Sequence, residues 1–262
     1  MENQYFNKNL IFSQKFQEFD LILKYLEKVE SSDKLLIQEA ERQTAELLKE
    51  RGEDINGLLV LALINLLYGN RQRSVSILGH IWDLGGEFTF HANLAYVDLL
   101  IDLGLFEMAA MLLKPKFADI EDSVADFHDV MMKFAIATGN LSLIKRILVY
   151  AGQPKFEKLR NFIVVYEEVD YGEHFKNIQK IAHEFFKKEI YAYDYILYDD
   201  RGFTDLEIVI YLGKETTNYD AAFNGLENSL DNYFTDKGVK RIHNLGFVLK
   251  DIKDRPSLEQ SL

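Results

Sequence analysis

Apolar residues recur along this chain with two different periods. From about residue 14 to about 188 they return every third or fourth position, the spacing of one face of a helix. From residue 190 to 212 they return every second position, the spacing of one face of a strand, and helical spacing comes back at 218–236. The helical stretch is itself divided into pairs. Leu58–Leu67 and Ser74–Trp82 are separated by Tyr68-Gly69-Asn70, Leu94–Asp102 and Phe106–Leu113 by Leu103-Gly104-Leu105, and Val130–Ala137 and Leu141–Tyr150 by Thr138-Gly139-Asn140. A less regular fourth pair, Phe162–Val169 and Phe175–Phe186, is separated by Tyr171-Gly172-Glu173. Two helices expected at 14–29 and about 33–50 precede them, the second with Ser32 as its N-cap.

The turn glycines Gly69, Gly104, Gly139 and Gly172 stand 35, 35 and 33 residues apart. A fixed period of this length marks repeats that stack so that each unit buries its apolar face on the next. The expected fold is mainly α: a right-handed α-solenoid of about five helical hairpins. After Glu189 the pattern predicts a small α/β domain in the order β-β-α-β. Ile190–Asp199 and Phe203–Leu212 alternate on either side of the turn signal Asp200-Arg201-Gly202, which reads as a β-hairpin. Residues 218–236 carry a helical stripe that includes Leu226, Leu230 and Phe234, with Asn218 as cap, and 246–252 supply a third strand. The division is therefore drawn as 1–189, helical repeat, and 190–262, small α/β domain with a polar tail.

The hairpins resemble the tetratricopeptide repeat family over about residues 14–188. The middle unit carries the likeness best, with Ala109 five residues and Leu113 nine residues beyond Gly104, where the family places small and large apolar side chains. The version is divergent: the family's tryptophan position holds Leu58, Asn93 and His128. The resemblance implies a scaffold whose first helix in each pair lines a concave surface. In that register the strip is His91, Asp98, Asp102, Asp126, Asp129, Lys133, Tyr166 and Asp170, with an apolar end at Leu59, Leu63 and Leu66. Such a strip suits a peptide or protein carrying basic and apolar side chains.

Charge and composition narrow the field. Formal net charge is −12 and the pI is about 5.0, so no basic footprint for nucleic acid and no adhesion to anionic membrane is expected. There are no cysteines, which removes disulfides, thiolate chemistry and Cys-ligated zinc. The opening MENQYFNKNLIF lacks a basic stretch leading into an apolar core, and Gly57–Leu67 is too short to span a bilayer, so a cytoplasmic protein is expected.

None of the six histidines pairs with another at the spacing of a helical metal site. Gly85-Gly86 lacks the lysine of a phosphate loop and reads as a helix end. Asp194, Asp205 and Glu207 lie on strands, but Val209 stands where a nuclease-like site needs lysine. No metal and no cofactor are expected. The function expected is a non-catalytic protein-interaction scaffold. Alternatives are a ligand-sensing or catalytic α/β domain at 190–252 regulated by the repeats, and a structural subunit of an assembly. Self-association is expected at the edge of the small sheet.

Overall fold

The computed structural model describes residues 16–30, 32–118, 120, 125–151, 156–168, 172–187, 189–200, 203–213, 218–241 and 245–255. Among them the protein is mainly helical, with a small sheet near the C-terminus. Among the described residues ten helices precede the sheet: α1 (Phe19–Leu26), α2 (Lys34–Arg51), α3 (Ile55–Leu67), α4 (Arg71–Leu84), α5 (Phe90–Asp102), α6 (Phe106–Ala118), α7 (Ala125–Ala137), α8 (Leu141–Tyr150), α9 (Glu157–Glu168) and α10 (Gly172–Phe186). Then come β1 (Ile190–Asp200), β2 (Phe203–Leu212), α11 (Tyr219–Lys237) and β3 (Leu245–Asp251). The change from helix to strand falls at Ile190, and the order is β-β-α-β. Residues 201–202 of the expected hairpin turn lie outside the described residues.

The chain divides into two compact units, Met1–Leu99 with Ile252–Leu262, and Leu100–Asp251. The division falls within α5, so the sheet and the helices from α6 onward belong to the same unit. The boundary expected at 189 lies beside the change from helix to strand at Ile190.

In the first unit α3 is apolar almost all round, and Leu59, Val60, Ala62, Leu63, Ile64 and Leu66 are buried. A helix of that kind must be covered on several sides; α1, α2 and α4 pack against it. Asp54 starts α3, its Oδ1 accepting from the Asn56 N–H at 2.8 Å and the Gly57 N–H at 3.2 Å. The start of α2 differs from expectation. Its cap position is Asp33, with no side-chain cap bond, and the Ser32 hydroxyl turns instead to Glu30 at 3.3 Å. Ser32 therefore lies one residue too early to reach the first free N–H groups.

In the second unit the sheet order is β1-β2-β3, with β1 and β2 antiparallel and β2 and β3 parallel. The parallel step needs a crossover, which α11 supplies. Asn218 caps α11, accepting from the Ala221 N–H at 2.9 Å, and Gly238 closes it in the left-handed conformation. The α11 stripe buries Leu226, Leu230 and Phe234 and packs on β3 and α10. α7 and α9 meet β1. The tyrosine face of β1 is accordingly buried, with Tyr191 and Tyr193 8% and 2% exposed, while Tyr198 remains 47% exposed.

Candidate functional site

Two polar constellations of the second unit stand out because burying polar groups is costly unless they are matched. The first is a charge pair. Asp102, the last residue of α5, is completely buried, and its Oδ1 lies 2.7 Å from Nζ of Lys133 on α7. The same oxygen accepts the backbone N–H of Tyr193 at 3.3 Å. Tyr193 is on β1, an edge strand, so one carboxylate joins two helices and occupies part of a sheet edge that would otherwise invite another strand. Nearby, burial and then the charges of Asp129 and Asp194 raise the Tyr195 phenol well above its usual range. These groups hold the helices and the sheet together.

The second constellation is an open pocket of about 640 Å³ between the Gly104 turn, the start of α6, the end of α7 and one face of α10. Its geometry follows from two close approaches. Gly104 and Gly139 both have positive φ, 71° and 64°. A side chain at Gly104 would meet His183 Cε1 at 2.5 Å, and one at Gly139 would meet the Lys176 Cα at 2.5 Å. The turns of successive hairpins thus abut α10 directly, and the pocket opens beside them. His183 forms a wall, its ring 4.8 Å from that of Phe106 and its Nδ1 3.1 Å from the Tyr193 hydroxyl. Lys176, Lys180, Glu184 and Lys187 line the α10 side, and Glu107 stands opposite. Gln179 lies among them, 2% exposed, and neither its Nε2 nor its Oε1 has a hydrogen-bond partner.

The strip expected on the helices is distributed differently from a continuous surface. Asp102 and Lys133 are brought together, but as a buried pair, and Asp129 is half-buried near Tyr195. Asp126 is exposed. In the first unit His91 is 26% exposed, with Nε2 3.2 Å from Glu27 Oε2, and Asp98 is half-buried. Leu59, Leu63 and Leu66 belong to the core. Tyr166 falls on α9, with its side chain outside the described ones, and Asp170 lies outside the described residues. Gly69, Gly104 and Gly139 are positive-φ turn residues, whereas Gly172 is the first residue of α10.

Sequence reasoning passed over Gln179 because an isolated glutamine on an amphipathic helix reads as solvated. A signal was nonetheless present: Gln179 lies one residue from Ile178 and three from Ala182, both buried. Among the described residues no group of three or more His, Asp or Glu side chains is placed to hold a metal ion, and no helix is long and apolar enough to cross a membrane. No protein-family model, curated protein or solved structure matches this chain.

Proposed function

We propose that this protein is a non-catalytic interaction scaffold built from divergent tetratricopeptide-like hairpins, taking a protein or peptide partner on the helices of its first unit. The observation that carries this reading is the apolar surface left beside one hydrogen bond. The Thr89 hydroxyl donates to Asp20 Oδ1 at 2.9 Å, which ties the start of α5 to α1. The residues that follow these two, Leu21 and Phe90, are 42% and 53% exposed. Two large apolar side chains are thus exposed, each next in sequence to a residue of a polar contact between α1 and the segment leading into α5. An aromatic anchor on a rigid support is what partner recognition favours, because little side-chain freedom is lost on binding.

The acidic character of the whole chain complements a partner whose polar rim is basic. Asp126 is an exposed member of the expected strip and remains a candidate for such a rim in the second unit. The experiment is affinity capture from the native host with the full chain, comparing wild type with Leu21→Glu/Phe90→Glu and with Leu35→Glu. Leu35 is 72% exposed and serves as the control. Loss of a wild-type partner in the double variant alone, with unchanged circular dichroism, supports the reading. Equal capture by all three removes it.

A further inference from the structure

We draw no further inference here: the strongest candidate, the open pocket between the Gly104 turn and α10, rests on the exposed Lys176 and Lys180 and on the start of α6, since the Gln179 amide atoms are closed to solvent and out of reach of a ligand there.

Discussion

Gly69 and Gly139 occupy equivalent turns in two hairpins, with φ of 80° and 64°, yet their surroundings have little in common. Around Gly69, in the first unit, a side chain would meet nothing within 4 Å. Around Gly139, in the second, it would strike the backbone of α10 at Lys176 and come 2.8 Å from the Phe175 carbonyl. Glycine is needed once at the first turn, for the angle, and twice at the second, for the angle and for the room. A repeated sequence signal thus covers two physical requirements. Only the second shapes a site, because it brings a helix end against α10 and leaves the pocket beside it.

The largest test of this contrast removes the charge that ties the second unit together. Asp102→Ala leaves Lys133 buried without its carboxylate and frees the Tyr193 N–H. A loss of about 3–5 kcal/mol is expected, read as a lower urea midpoint. The double variant Asp102→Leu/Lys133→Met is expected to recover a large part of that loss, since no uncompensated charge remains. If Asp102→Ala unfolds at the wild-type midpoint, the pair is not what joins α5, α7 and β1.

Next comes Gly139→Ala, which combines left-handed strain with a collision against backbone that cannot move aside cheaply. About 3 kcal/mol of destabilisation is expected in equilibrium denaturation. Gly104→Ala carries the same angular strain, but its obstacle is a side chain, the His183 ring. The ring can shift, at the expense of its contacts with Phe106 and the Tyr193 hydroxyl. About 2 kcal/mol is expected, together with a change in the pocket wall that Gly69→Ala does not produce. Equal stability losses at positions 104 and 139 would show that ring displacement is as costly as backbone displacement.

The same contrast explains what was legible in the sequence. Helical pairing around Gly69, Gly104 and Gly139 shows as local periodicity, because each turn is set by residues a few positions away. The strands likewise show because Leu206, Ile208, Ile210 and Leu212 share one face and are buried together. Asp102 was not legible as a buried residue. Its partners lie 31 residues away at Lys133 and 91 residues away at Tyr193, and an acid near a helix end ordinarily faces water. The Tyr191 and Tyr193 face did point to packing, but not to which helices it would meet. For Gln179 the local sign is slight, the buried neighbours Ile178 and Ala182, because its burial comes from α10 lying against two turns that are distant in sequence.

The smallest effect is the one that calibrates the others. Gly69→Ala places a methyl group in open space, so its cost is that of left-handed backbone in a residue with a Cβ, about 1 kcal/mol. Gly69→Asn is expected to cost less, because a short polar side chain tolerates this conformation. Thermal melting of the two variants beside Gly139→Ala and Gly139→Asn separates angle from space. At position 69 asparagine should restore most of the alanine loss. At position 139 it should restore none, because the obstacle there is the α10 backbone and asparagine is larger than alanine. Recovery by asparagine at both positions would mean that α10 yields to a side chain, and the distinction between the two turns would then reduce to a single requirement for positive φ.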